Sequence, residues 1–184
     1  MTSEEVIVAV VDALSAVDVP FMVVGSMATN FYGIPRSTRD ADFVIQVPPP
    51  FGALTERLGK SLRLAAQASF EGVTGTVRHR IEARGTSFTV ELFELSDDAH
   101  DVARFSRRRR VRLFGKDVFL ATAEDTIVTK LRWALQPGRE KDVDDVRSVI
   151  AIQGDSLDWT YVEQWCSQHG TSALLDSIRR SLQL

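Results

Sequence analysis

The chain has one cysteine, three histidines, and no run of about 18 consecutive apolar residues, the length a membrane span needs. Cys166 alone cannot close an intrachain disulfide, and the start MTSEEV carries neither the basic flank nor the apolar run of a secretory leader. A reducing compartment, the cytoplasm, with no membrane partner is expected. There is no Gly-x-Ser-x-Gly elbow and no glycine-rich phosphate loop, so neither hydrolase triads nor P-loop chemistry is supported. Neither sign of charge dominates: 22 Lys+Arg against 25 Asp+Glu leave a net charge of −3, which gives no global attraction to nucleic acid. The one local anomaly is Arg104 to Arg112, which holds six arginines.

What is present suits a globular chain. Hydrophobic residues make up 44% and charged residues 26% of 184 positions, and a chain of this length buries about 70% of the surface exposed on unfolding, without metal or disulfide staples. A helix is predicted from Ser3 to about Asp18, a buried strand over Phe21 to Val24, and a helix over Ser26 to Tyr32. A strand over Asp40 to Val47 follows, ended by three prolines. Phe51 to Ala66 has a helical pattern. Val77 to Ala83, Ser87 to Leu95, Arg107 to Phe114 and Asp117 to Leu120 read as strands. Thr122 with Asp125 three residues on marks a helix start, Pro137-Gly138 its end, and Val143 to Ile150 another helix closed by Gly154. One or two more helices complete the chain. The fold class is therefore α+β, a mixed β-sheet flanked by helices in residues 1–121 and a C-terminal helical region in 122–184 packed on that core.

The chemistry is concentrated around Asp40 and Asp42. Residues two apart on a strand share a face, so these carboxylates project side by side. Their repulsion is relieved by a cation between them or by a proton on one of them. Mg²⁺ is the natural cation for an all-oxygen site, since it keeps positions open for water and substrate phosphates. Gly25-Ser26, at a helix N-terminus, is a place where backbone N–H groups can hold a phosphate. A turn or cap with solvated carboxylates is the plainer alternative for an isolated Asp-x-Asp.

The segment VGSMATNFYGIPRSTRDADFVI, residues 23–44, resembles the signature of the nucleotidyltransferase superfamily: an apolar strand, Gly-Ser, a helix, then Asp-x-Asp on the next strand. The resemblance implies a polymerase-β-like fold in which Asp40 and Asp42 ligate Mg²⁺ (or Mn²⁺) on an NTP and a third acid on a later strand completes the metal site. Glu91, inside Phe88-Thr89-Val90-Glu91-Leu92-Phe93, is the candidate for that third acid. Glu94 is its rival, and a solvated acid is a further alternative. The superfamily usually has aspartate at this place. Residues 121–150, with Glu124-Asp125, Lys130, and Lys141-Asp142 with Asp145, resemble the helical half of the abortive-infection Eii type, which occurs as bacterial toxins.

Lys130 borders the apolar arc of its helix, a position suited to a phosphate ligand or to a snorkelling stem. The expected nucleotide-binding residues are Gly25, Ser26, Arg36, Thr38, Lys130 and Lys141. The expected catalytic and metal residues are Asp40, Asp42 and Glu91. Asp142 and Asp145, three apart on one helix face, could orient the lysines or the nucleotide, or simply be solvated.

The reaction implied is transfer of a nucleoside monophosphate from an NTP to an acceptor hydroxyl, on an RNA end or a protein side chain, in a toxin-like role with a cognate antitoxin. The alternatives are an antibiotic-modifying transferase and a non-catalytic nucleotide-binding or interaction module. The arginine run reads as edge-strand protection or as an RNA phosphate contact. Cys166, beside Trp165 on an amphipathic pattern, reads as core.

Overall fold

The computed structural model describes residues 1–46 and 50–182. Val47, Pro48 and Pro49, to which the sequence assigns the end of a strand, lie outside the described residues. The chain forms two compact units, one of Met1–Val24 with Thr38–Leu120, the other of Gly25–Ser37 with Ala121–Leu184. It therefore passes between them three times, where the sequence suggests a single seam near Ala121.

The first unit is built on a mixed sheet. Its strands are β1 (Phe21–Val24), β2 (Asp40–Ile45), β3 (Leu62–Leu64), β4 (Ser69–Glu71), β5 (Thr76–Ala83), β6 (Thr89–Glu94), β7 (Arg109–Leu113) and β8 (Lys116–Leu120). They lie in the order β3-β5-β6-β2-β1-β8-β7, with β4 on β5. β1 is buried at all four positions, which explains its unbroken apolar run FMVV. β2 and β6 alternate half-buried and buried residues at their starts. Ala41, Phe43, Val90 and Leu92 are thereby buried, while Asp40, Asp42 and Glu91 take the other face. Helix α1 (Ser3–Ala16) is started by a reciprocal pair: Glu5 N–H donates to Thr2 Oγ1 and Thr2 N–H to the Glu5 carboxylate.

Two expectations are corrected in this unit. The helical pattern over Phe51 to Ala66 yields a helix only for Phe51–Leu58, α3. Beyond Gly59 the sequence Leu62-Arg63-Leu64 has a period of two, and it pairs antiparallel with β5. The strand expected over Arg107 to Phe114 likewise starts only at Arg109, because the chain up to Arg107 is helical. Ala99–Arg107 is helix α4, with Asp98 accepting from the N–H groups of His100 and Asp101. Ser96 Oγ adds a 2.6 Å hydrogen bond to Asp101. The face that this helix buries is mostly polar, with His100, Asp101 and Arg104 beside Phe105, so the helix lacks the apolar stripe by which a sequence reveals one.

The second unit is helical: α2 (Gly25–Tyr32), α5 (Ala123–Ala134), α6 (Glu140–Gln153), α7 (Trp159–His169) and α8 (Ser172–Ser181). Its core gathers Ile127, Val128 and Leu131 of α5, Val146, Val149 and Ile150 of α6, Val162 and Cys166 of α7, and Leu175 and Ile178 of α8. Each such aliphatic side chain contributes about 1.5–3 kcal/mol on burial. Cys166 is wholly buried, and desolvation pushes its thiol pKa up, as expected of a core residue. No helix among the described residues is long and apolar enough to cross a membrane.

The end of α2 is pressed against α6. Ile34 N–H donates to Ser148 Oγ, and Gln153 Nε2 donates to Tyr32 O at 2.9 Å. A Cβ on Gly33 would stand 2.6 Å from Ser148 Oγ and 3.1 Å from the backbone at Ser148 and Val149. Gly33→Ala is accordingly expected to destabilise the chain by about 1–3 kcal/mol through overpacking, read as a lower midpoint in denaturant unfolding with an unchanged slope. An unaltered midpoint would show that α2 and α6 can part without cost.

Candidate active site

In the first unit, three carboxylates share one face of adjacent strands. β2 runs antiparallel to β1, with Val24 opposite Asp42, and parallel to β6, with Asp40 opposite Thr89 and Asp42 opposite Glu91. Strands lie about 4.8 Å apart, so Glu91 is the direct cross-strand neighbour of Asp42, and Asp40 follows two residues away on the same face. Thr38 Oγ1 donates to Asp40 Oδ1 at 2.7 Å, so the hydroxyl that the sequence offers to a nucleotide is here engaged with a site carboxylate. Glu94, the rival third acid, falls on the opposite face, where it lies 2.7 Å from His79 Nε2. Alternation along β6 thus separates the two glutamates.

Glu91 is held by two arginines of β5. Arg78 Nη1 contacts Oε2 at 3.1 Å and Arg80 Nη2 contacts Oε1 at 3.3 Å. Arg80 is the register partner of Glu91. These arginines are absent from the sequence-based expectation, because nothing local reveals which residue of a hairpin-rich segment faces which. The donor set of Asp40, Asp42 and Glu91 is all oxygen and suits a hard divalent cation. Thr38 engages one oxygen of Asp40, whereas both oxygens of Glu91 carry guanidinium contacts. Asp40 therefore fits a metal better than Glu91 does.

In the second unit, Gly25 opens α2 with φ 61°, a left-handed conformation that glycine adopts without penalty, and Ser26 is buried behind it. Asn30 braces the following turn, accepting from Arg36 N–H at 3.0 Å and donating to Arg36 O at 2.8 Å. The Arg36 guanidinium makes a fork to Asp145, with Nε and Nη2 each 2.7 Å from a carboxylate oxygen. Nη2 also reaches Ser26 Oγ at 3.4 Å.

Lys130 is buried. Its Nζ lies 2.7 Å from Asp142 and 2.9 Å from Asp145, and Arg139 pairs with the other oxygen of Asp142. Arg36, Lys130 and Arg139 thus share Asp142 and Asp145 in one network, whose lysine and carboxylates are buried and whose guanidiniums reach the surface. Of the lysines expected to bind nucleotide, Lys130 is committed to two aspartates, and Lys141 is exposed. Glu124 and Asp125 serve the fold: Asp125 accepts from Tyr161 Oη at 2.6 Å and from Thr122 Oγ1 at 2.7 Å, and Glu124 accepts from Asp158 N–H.

The arginine run is largely occupied as well. Among the described residues β7 pairs with β8 alone and forms a sheet edge. Arg104 pairs with Asp101, Arg110 with Asp117, and Arg108 lies 4.1 Å over the Phe105 ring and 4.8 Å over that of Phe119. Charge on an edge strand protects it from pairing with other chains.

No protein-family model matches the chain, and no curated protein matches its sequence. Solved structures do match its fold. The crystal structure of ANT(2″)-Ia in complex with adenylyl-2″-tobramycin superposes with a TM-score of 0.63 at 16% identity, covering 92% of this chain and 99% of that one. The solution structure of ANT(2″)-Ia gives a TM-score of 0.58 at 16% identity over 98% and 94%. An antigenic nucleotidyltransferase-like protein from Paracoccidioides brasiliensis gives 0.53 at 17% identity over 97% and 93%. The fold is nucleotidyltransferase-like, a mixed sheet with flanking and C-terminal helices.

Burial opposes the charge of Asp145, but the Arg36 fork and the Lys130 ammonium outweigh it and hold its carboxyl below the usual aspartate range. A depressed carboxyl stabilises the fold above its unfolded pKa of about 3.9, and the contribution is lost as pH falls through the folded value. Asp145→Asn should destabilise the chain by about 3 kcal/mol at neutral pH by leaving the buried Lys130 ammonium short of a partner. The gap from the parent chain should hold above about pH 5 and narrow below about pH 4, measured by thermal unfolding across that range. A gap constant to pH 3 would contradict the assignment.

Proposed function

We propose that the chain is a nucleotidyltransferase that moves a nucleoside monophosphate from an NTP to an acceptor hydroxyl. The observation that carries this reading is the register placing Asp40, Asp42 and Glu91 on one face of neighbouring strands, in a fold that nucleotidyltransferases share. In the reaction, the acceptor hydroxyl oxygen forms a bond to the α-phosphorus and releases its proton to water, the bond to the bridging oxygen breaks, and pyrophosphate leaves with that electron pair. A Mg²⁺ (or Mn²⁺) ion held by Asp40 and Asp42, with Glu91 as third acid, would neutralise triphosphate charge and orient the leaving group. Thr38 fixes the Asp40 carboxylate. Gly25 and Ser26 offer backbone N–H groups and a hydroxyl to phosphate, and Arg36, steadied by Asp145, offers a guanidinium that stays charged. Lys130 sets the geometry of Asp145 and through it that of Arg36, and Lys141 is left to meet the nucleotide from the surface. Positioning and charge neutralisation supply most of the catalysis in this chemistry.

An RNA end or a protein side chain is the acceptor in this reading. A toxin-like role with a cognate antitoxin in the cytoplasm rests on the resemblance of residues 121–150 alone. A second reading, a non-catalytic nucleotide-binding module, is favoured by the two arginines on Glu91.

Thermal unfolding with each NTP, with and without Mg²⁺, separates these possibilities. A nucleotide at 100 times its dissociation constant stabilises by about 2.7 kcal/mol. The expected outcome is a Mg²⁺-dependent rise in melting temperature that is lost in Asp42→Asn, accompanied by pyrophosphate release once an acceptor is supplied. Stabilisation without pyrophosphate release from any acceptor extract would establish the binding module. The absence of any nucleotide effect would remove both readings.

A further inference from the structure

Glu91 stands between two neighbours that make opposite demands on it. Strand β6 lies between β2 and β5, so Asp42 is the register partner of Glu91 on one side and Arg80 its register partner on the other. A carboxylate engaged with β2 would share a cation with the aspartates. The contacts that Glu91 makes come instead from β5, where Arg78 Nη1 donates to Oε2 at 3.1 Å and Arg80 Nη2 to Oε1 at 3.3 Å. Each oxygen thus has its own guanidinium. Arg78 is fixed in turn from β4, where its register partner Ser69 accepts from Nε at 3.0 Å. The Glu91 side chain is 14% exposed, against 30% and 49% for Arg78 and Arg80. The carboxylate is the covered member, so water competes little for it, and charge-assisted hydrogen bonds are strong where water is scarce.

The charges on this face give the pairing its meaning. Asp40, Asp42 and Glu91 are offset in part by Arg78 and Arg80, and the face stays acidic overall. Further out, Arg63 and Glu82 cancel across β3 and β5, and Glu71 accepts from the Thr74 N–H and hydroxyl at 3.0 and 2.6 Å. A divalent cation at Asp40 and Asp42 brings this group of side chains close to neutrality. A second divalent cation beside it would leave the group strongly positive and would have to take Glu91 from both arginines. Two guanidiniums together carry the charge of one such ion, and they keep it at any pH at which the chain is folded.

Resting on the transferase reading above, we infer that Arg78 and Arg80 are positioning residues that keep Glu91 out of the metal's ligand set and take the place of a second divalent cation. The chain then uses one such ion, held by Asp40 and Asp42 alone. Removing the arginines returns Glu91 to Asp42, its neighbour about 4.8 Å away across the strands, as a third oxygen ligand.

The test is Mn²⁺ binding to the full chain without nucleotide, with free Mn²⁺ read by electron paramagnetic resonance. The parent chain should bind one Mn²⁺, and Asp42→Asn should abolish that binding. Glu91→Gln should weaken it by no more than about fivefold, the long-range effect of one charge. In Arg78→Gln/Arg80→Gln the ion should bind about tenfold or more tighter, and adding Glu91→Gln to that variant should cost about tenfold more than it costs in the parent, because Glu91 is then a ligand. A charge acting only at long range would cost the same in both backgrounds, and a merely structural ion pair would move the melting temperature without moving the metal affinity. If the double Gln variant does not fold, as judged by its melting curve, Arg80→Gln alone carries the same comparison. Equal costs of Glu91→Gln in the two backgrounds overturn the inference. So do a cost in the parent as large as that of Asp42→Asn, two Mn²⁺ in the parent, or none. Mg²⁺-dependent NTP stabilisation of the parent chain is read separately. If it is absent while the Mn²⁺ affinities follow the expected pattern, the transferase reading falls and the one-ion site stands. If it is present while the two costs are equal, only this inference falls.

Discussion

The parallel pairing of β2 with β6 decides what the first unit can do. Side chains on a strand alternate with a period of two, so a slip of one residue in either strand would send Asp42 or Glu91 to the apolar face and bring Phe43 or Leu92 out. The buried positions Ala41, Phe43, Val90 and Leu92 resist that slip, because exposing two large apolar side chains costs several kcal/mol. The same apolar contacts that stabilise the sheet therefore force carboxylates into proximity on its other face. Like charges at that separation are unfavourable unless countered. Arg78 and Arg80 supply opposite charge at Glu91, and the Thr38 hydroxyl donates a hydrogen bond to Asp40.

A second case of charge held by apolar packing occurs in the helical unit. Lys130 sits at the edge of the α5 face that buries Ile127 and Leu131, and α6 presents Asp142 and Asp145 one turn apart to it. Three cations and two carboxylates form a network in which each buried charge has an opposite neighbour, the condition for burying charge at tolerable cost. Arg36 is the member that also reaches Ser26 and the Ser37 carbonyl. Its fork to Asp145 leaves Nη2 directed at Ser26 Oγ, so the network's rigidity is passed to a group that can meet phosphate.

Much of this was legible before any coordinates. The apolar run of β1, the Asp-x-Asp of β2, and the threonine cap and periodicity of α5 are all local patterns, and each element lies within a few residues of its expected place. Glu91 stands out in the sequence as an acid among apolar neighbours. Choosing it over Glu94 needed the strand's face, which burial of Val90 and Leu92 supplies. Helix α4 is hidden because its buried face carries His100, Asp101 and Arg104 rather than apolar residues, and the Phe51 helix reads too long because Leu54, Leu58 and Leu62 keep a four-residue spacing past Gly59.

The sequence by itself determined which segments alternate, which are periodic, and that two aspartates share a face, because these follow from backbone geometry over a few residues. Only the tertiary structure decided that Glu91 faces Asp42, that two arginines surround it, and that Lys130 is neutralised by Asp142 and Asp145. These contacts join residues 10 to 50 positions apart in the chain (Asp42 and Glu91, Arg78 and Glu91, Arg80 and Glu91, Lys130 and Asp142, Lys130 and Asp145) by strand register or helix packing. Register is set by the summed burial of whole strands, a quantity no local pattern of side chains contains.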